Sequence, residues 1–258
     1  PWVHVLPIPD SYRRPDSEFN DEVRAGMSEA GPVAGLLIES MLSCAGQVPL
    51  PDGYLEEAAS AVRDVGGLLI ADEVRVGFGR VGSHMWAFEE SGVTPDIVVM
   101  GKPIGNGHPM AAVFTTPEIA SSFGGMEFFS TFGGNPVSCA IGMAVMDVIE
   151  GDRLMERASE LGDRLRYGLE SLGESHELIG DIRGRGLFLG IEMVRDRATL
   201  EPAPKEASAI VDSMREKGVL LSTDGPLHNV IKIKPPMVLN EDDVDETLSK
   251  IEWVLSDN

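Results

Sequence analysis

The run Leu68-Leu69-Ile70-Ala71-Asp72, followed further on by Asp96-Ile97-Val98-Val99-Met100-Gly101-Lys102, decides the fold. Both are short and almost continuously apolar, the pattern of strands buried on both faces of a parallel sheet; a half-solvated strand would alternate. Both also end on a charge, the first on a carboxylate and the second on an amine that follows a glycine. Working outward, Val33-Ala34-Gly35-Leu36-Leu37-Ile38-Glu39 reads as a strand of the same kind, and Met110 to Thr115 as a fourth. Pro49, Pro51, Asp52 and Gly53 mark a turn. Tyr54 to Val65 then spaces its apolar and acidic residues as a helix does, with Gly66-Gly67 as the stop. This strand–helix–strand rhythm predicts an α/β fold with a mostly parallel sheet.

Toward the C-terminus, a long helix is expected after Asn135-Pro136, running toward Ile149. Another is expected from Arg153 to Leu172, with Leu154, Ala158, Leu161, Leu165 and Leu169 on one face. Gly184 to Met193 reads as a strand with alternating glycines, Lys205 to Lys217 as a helix stopped by Gly218, and Val230 to Lys234 as a strand halted by Pro235-Pro236. Glu241 to Leu255 closes the chain as a helix whose acidic first turn suits the helix dipole. A boundary near Glu150 divides the chain into residues 1–150 and a smaller α/β domain over 151–258.

Composition narrows the class. A length of 258 residues accommodates a core domain and a smaller one. With 43% hydrophobic and 24% charged residues the chain is a folded globular protein, neither disordered nor fibrous. A net charge of −21 repels nucleic acid and anionic lipid, so neither is an expected partner. No apolar run approaches the ~18 residues of a membrane span, and no signal-peptide pattern is visible, so a cytoplasmic location is expected. Cys44 and Cys139 read as reduced, small apolar side chains. The five histidines lack metal-ligand spacing, so no metal site is expected. The opening residues Trp2-Val3-His4-Val5-Leu6-Pro7 read like the middle of a protein, so the chain is expected to be part of a longer one.

In open α/β sheets ligands bind where strands end, which puts Asp72 and Lys102 where chemistry is done. An ordinary ion pair is the plain alternative. The residues after Lys102, Pro103-Ile104-Gly105-Asn106-Gly107, permit close backbone approach to a ligand. A buried lysine loses its proton readily and becomes a nucleophile able to form a Schiff base. Pyridoxal phosphate requires such a lysine, and a carboxylate beside its pyridine nitrogen; Lys102 and Asp72 suit those two roles.

These residues sit in motifs that resemble a known family. Ile-Ala-Asp-Glu-Val-Arg-Val-Gly-Phe-Gly-Arg (70–80) resembles the aspartate motif of class III aminotransferases, and Gly-Lys-Pro-Ile-Gly-Asn-Gly (101–107) their lysine motif. Ser130-Thr131-Phe132-Gly133-Gly134-Asn135-Pro136 resembles the segment whose threonine reaches the cofactor phosphate of a partner subunit. Pro235-Pro236-Met237 resembles the late Pro-Pro motif. Four motifs in order are specific where each alone is weak. Within the family the branch that is most similar is the phospho-lyases of phosphoethanolamine and phosphohydroxylysine. Glu39 to Gln47, Leu220 to Pro226 and Lys232 to Met237 look like that branch.

The resemblance implies a pyridoxal-phosphate enzyme of fold type I, a homodimer acting on a small-molecule amine. Residues 1–150 become the C-terminal part of the large cofactor-binding domain, and 151–258 the small domain. It implies that Lys102 holds the cofactor and moves a proton, that Asp72 pairs with the pyridine nitrogen, and that Val74 presses on the ring. Thr131 would donate to the cofactor phosphate across a dimer interface. Against these stand a strand-end lysine, a salt-bridging aspartate, a core valine and a loop threonine. Glu39 and Arg80 are expected to be structural or substrate-gating, and His108 to line the site or lie solvated in its loop. Arg75 departs from the family's usual glutamine and is open to an anionic substrate or to solvent. Lys232 stands where transaminases of the class carry a carboxylate-binding arginine, and its point charge cannot make a forked contact. That favours a phospho-lyase over an amine or omega-amino acid transaminase. A non-catalytic dimerising remnant is the alternative from another class, because the family's glycine-rich phosphate loop and ring-stacking aromatic are not recognisable here. Phe128 and Phe129 lie outside that motif context. A nucleotide-binding domain would need a Gly-x-Gly-x-x-Gly turn that 101–107 does not supply.

Overall fold

A computed structural model describes residues 2–124 and 129–257. Helix α1 (Phe19–Ala30) precedes strand β1 (Gly35–Glu39), a small hairpin of β2 (Met41–Leu42) and β3 (Val48–Pro49), helix α2 (Tyr54–Asp64) and strand β4 (Leu68–Asp72). Strands β5 (Ile97–Met100) and β6 (Ala112–Thr115) complete a four-stranded sheet of order β1-β4-β5-β6, and the short α3 (Pro117–Phe123) follows. β1, β4 and β5 are parallel, and β6 runs antiparallel on the edge. The register sets Glu39 beside Asp72 and Asp72 beside Val99, so three C-terminal strand ends lie level. α2 turns Leu55, Ala58, Ala59 and Val62 inward, onto Leu69 and the β1 side chains Leu36 and Ile38. α1 packs on α2 through Val23 and Met27, spaced four residues apart.

Helices α4 (Pro136–Gly151) and α5 (Leu154–Ser175) lead to a second sheet of β7 (Ile179–Arg185), β8 (Phe188–Asp196) and the short β9 (Glu201–Pro202). Helix α6 (Pro204–Glu216), strands β10 (Ser222–Asp224) and β11 (Val230–Ile233), and helix α7 (Glu241–Asp257) follow. This sheet, of order β10-β11-β8-β7, is antiparallel throughout. Its strands alternate. Leu189, Ile191 and Met193 of β8 join Ile231 and Ile233 in a core closed by α5, α6 and α7. Between them, Gly190 and Glu192 face the other way and meet residues from the first half of the chain: a Cβ at Gly190 would lie 2.9 Å from Gln47, and Glu192 pairs with Arg13 and Arg183. Residues 8–14 are strapped to that face by these buried charges, with Arg183 also paired to Asp10.

The expected helices and strands are present with end shifts of a few residues, and one reading fails. Gly184 to Met193 is not one strand but the turn and both arms of the β7–β8 hairpin. Gly186 sits at the tip with φ 51°, and a Cβ there would lie 2.5 Å from the Val81 carbonyl carbon, so glycine is needed for turn and contact alike. The strand-like alternation of glycines hid that turn. Cys44 and Cys139 are both exposed and form no disulfide with each other. Among the described residues no helix is long and apolar enough to cross a membrane.

Candidate active site

β4 and β5 deliver Asp72 and Lys102 to the same end of the sheet. Glu73 donates its N–H to the Val99 carbonyl at 2.8 Å, which carries the pairing one residue beyond Asp72. The chain then turns, and the Asp72 carboxylate accepts the N–H of Val74 at 2.9 Å. On β5 the chain passes Gly101 and enters a single 3₁₀ turn, Lys102–Gly105. Lys102 has φ 30° and Asn106 φ 43°, both in the left-handed region that non-glycine residues avoid. Such strain persists only where surrounding structure enforces it, commonly at functional sites.

Lys102 and Val74 line one cavity of about 820 Å³, with Ile141 and Val145 of α4 on one side and Met237 on another. Asp72 is half-buried at the strand end and Thr131 is exposed in the turn before α4, and neither lines this cavity. Lys102 is itself exposed, so the burial from which the sequence argument drew its reactivity is not found; it faces an open cavity, not the core. His108 lies beside the lysine turn, with Nε2 2.8 Å from the Ser138 hydroxyl, and ties that turn to the start of α4. Phe128 lies outside the described residues, and Phe129 is 84% exposed.

Other cations share this cavity with Lys102. Arg75, Arg80 and Lys234 all line the cavity. Burial pulls the Lys234 ammonium down to about 8, helped by Arg75 and Lys232 and opposed by Asp224 and Glu39. Its Nζ stands 4.3 Å above the Phe188 ring. Lys232 does not line the cavity and pairs with Asp224 at 3.1 Å. Asp224 also accepts from Gln47, whose amide is anchored on the Ser43 carbonyl at 2.8 Å. Glu39 is occupied by the backbone N–H and hydroxyl of Ser43. So Asp224, held by Gln47, neutralises Lys232, and Lys234 is the lysine left facing the cavity beside it. Sequence reasoning remarked on Lys232, as standing where the class carries an arginine, and passed over Lys234. The signal was there, because residues two apart on a strand share a face.

Two other polar groups find their partners within the protein. Glu73 is fully buried and accepts from the Ser40 hydroxyl and from the N–H groups of Ala87 and Phe88. Burial pushes its carboxyl up, and those three donors pull it back. Arg80 grips the carbonyls of Leu187 and Pro235 at 3.0 and 2.9 Å, across to the second sheet.

An amine and a valine on the cavity wall, with a carboxylate at the adjacent strand end, are groups that could hold the reactive end, ring face and ring nitrogen of pyridoxal phosphate. A Cβ at Gly101 would lie 3.5 Å from Val74, so glycine leaves that wall uncrowded.

An α/β fold with such a site defines a class, and comparison with known proteins gives it a name. Residues 1–255 match the Aminotransferase class-III family, and the chain belongs to that family of pyridoxal-phosphate-dependent proteins. An alanine–glyoxylate aminotransferase 2-like protein of Drosophila melanogaster is 48% identical over 96% of this chain and 54% of its own length. Ethanolamine-phosphate phospho-lyase homolog 1 of Caenorhabditis elegans is 42% identical over 99% of this chain and 60% of its own. The solved phospholyase from Arthrobacter in complex with phosphoethanolamine superposes with a TM-score of 0.92 at 39% identity, covering 99% of this chain and 64% of that one. The chain thus spans little more than half the length of the curated relatives.

Proposed function

We propose that the protein is a pyridoxal-phosphate-dependent phospho-lyase that removes phosphate and ammonia from an O-phosphorylated primary amine such as phosphoethanolamine. The observation that carries this reading is the pair Arg75 and Lys234 on the wall of the cavity that Lys102 also lines, with Lys232 neutralised by Asp224. Two unneutralised cations suit a phosphoryl dianion on the carbon next to the amine. Likeness to a phospholyase solved with phosphoethanolamine supports the same substrate class.

In this reading Lys102 would hold the cofactor and would then be the base that takes the proton from the carbon bearing the nitrogen. Pyridoxal phosphate supplies the electron sink for the pair that proton leaves behind. Asp72, fixed by the Val74 N–H, would keep the pyridine nitrogen protonated, and Val74 would support the ring. Arg75 and Lys234 hold the phosphate as its C–O bond breaks and it departs with the bonding pair. Water then completes the product to an aldehyde and ammonia.

The same reading takes residues 1–150 as the C-terminal part of a large cofactor-binding domain and 151–258 as the small domain. It takes the protein as a cytoplasmic homodimer in which exposed Thr131 reaches a partner's cofactor. The outer face of α4, with Met143 and Met146 exposed away from the cavity, supports an assembly that covers it.

The test is incubation of the protein, in its full encoded length, with phosphoethanolamine and no keto acid. Release of equimolar phosphate, ammonia and aldehyde is expected. Amino transfer to a keto acid without phosphate release assigns a transaminase instead. Failure of borohydride to fix cofactor on Lys102 assigns a non-catalytic remnant.

A further inference from the structure

Arg80 is costly where it stands. Burial pulls its pKa down, and among the described residues no carboxylate pairs with it. Its side chain instead donates to two carbonyls, Leu187 at the tip of the β7–β8 hairpin and Pro235 just past β11. The backbone completes the tie, since the Leu187 N–H donates to the Arg80 carbonyl at 3.0 Å. Neutral carbonyls do not by themselves repay the desolvation of a guanidinium, and an apolar side chain would fill the space more cheaply. What the arrangement fixes is position. The loop that holds Arg80 also carries Val74 and Arg75, and the residue before Pro235 is Lys234. Arg75 and Lys234 come from different sheets, and as like charges they repel when no anion lies between them.

We propose that Arg80 is a positioning residue: by gripping the Leu187 and Pro235 carbonyls it holds Lys234 against the loop that bears Arg75, and so sets the gap between the two cations that an anionic substituent bridges. The inference rests on the reading of an anionic substrate given above, but it concerns a distance that exists without substrate. Lys234 reports that distance. The charged groups acting on it are Arg75 from the β4 loop, Lys232 and Asp224 from β11 and β10, and Glu39 from the end of β1, with the Phe188 ring beneath. If Arg80 lets go, Lys234 moves away from Arg75 and out toward water, and its ammonium titrates nearer the ordinary lysine range of about 10.4.

The experiment uses the cofactor-loaded, full-length protein with Arg80→Met and Arg80→Lys. The lysine keeps the charge but cannot hold two carbonyls in a fork, and it keeps the test open should the methionine variant not fold. Acetic anhydride labelling of Lys234 across pH, read by mass spectrometry, is expected to shift its midpoint upward from about 8 in either folded variant. KM for phosphoethanolamine is expected to rise about tenfold while kcat changes little, the signature of lost binding without lost chemistry. Loss of thermal stability with an unmoved Lys234 midpoint and an unmoved KM overturns the proposal and leaves Arg80 as scaffold. Should the wild type release no phosphate while the Lys234 midpoint still shifts, the substrate reading fails and the positioning role stands.

Discussion

The helices α4 and α5 follow one another in the chain and live in opposite surroundings. α5 buries Leu154, Ala158, Leu161, Leu165 and Leu169 along one stripe and turns charged residues outward, paired in place: Arg164 with Asp245 and Glu241, Arg166 with Glu170. α4 is apolar almost all round yet buries only Gly142 and Ile149. A one-sided helix completes its own body; a helix apolar on every side needs protein on every side. The second sheet with α5, α6 and α7 is therefore a closed core. The first sheet with α4 presents unfinished surface beside the cavity that Lys102 lines, which agrees with a chain covering only part of its relatives' length.

That contrast can be broken. The largest expected effect is chemical and confined to the open side. Lys102→Ala lowers phosphate release by about 10⁴-fold with Tm unchanged, because an exposed strand-end residue carries the reaction but little packing. A fall in Tm comparable to that of a core variant makes Lys102 scaffold. Next, Leu165→Ala in the closed core costs about 2–5 kcal/mol in denaturant unfolding. A cost under about 1 kcal/mol would show that core to be less tightly closed than its burial indicates.

Smaller effects sharpen the comparison. Lys234 is charged below about 8 and neutral above it, while a phosphate monoester, with its second pKa near 6, stays dianionic across that range. KM for phosphoethanolamine should therefore rise as pH climbs through about 8, and in Lys234→Met that rise should vanish while KM is high throughout. A pH-independent KM in the wild type removes Lys234 from substrate binding. The smallest effect belongs to the outer face of α4. Met146→Ala in the 258-residue chain shifts unfolding by no more than about 0.5 kcal/mol, whereas Met146→Lys lowers self-association in sedimentation. A large stability loss from Met146→Ala places that face inside a core.

Much of this architecture was legible in the residues. The runs 68–72 and 96–100 read as buried parallel strands, because continuous apolar sequence has only such a place in an α/β fold. Their charged ends pointed to the end of the sheet where Lys102 lines the cavity. α1 escaped notice because three apolar residues, Phe19, Val23 and Met27, carry its buried face amid polar ones. The β7–β8 turn escaped because alternating glycines mimic a strand, and the close approach that requires Gly186 comes from Val81, a hundred residues earlier.

The amino-acid sequence by itself determined the α/β class, the family motifs and the pairing of an amine with a carboxylate at strand ends, since each is a property of local pattern. Only the tertiary structure decided which lysine faces the cavity. Asp224 and Gln47 take Lys232 out of play, Lys234 two residues on is left beside Arg75, and Arg80 ties their two sheets together. Those choices depend on partners distant in the chain, and charges act through space, not along the sequence.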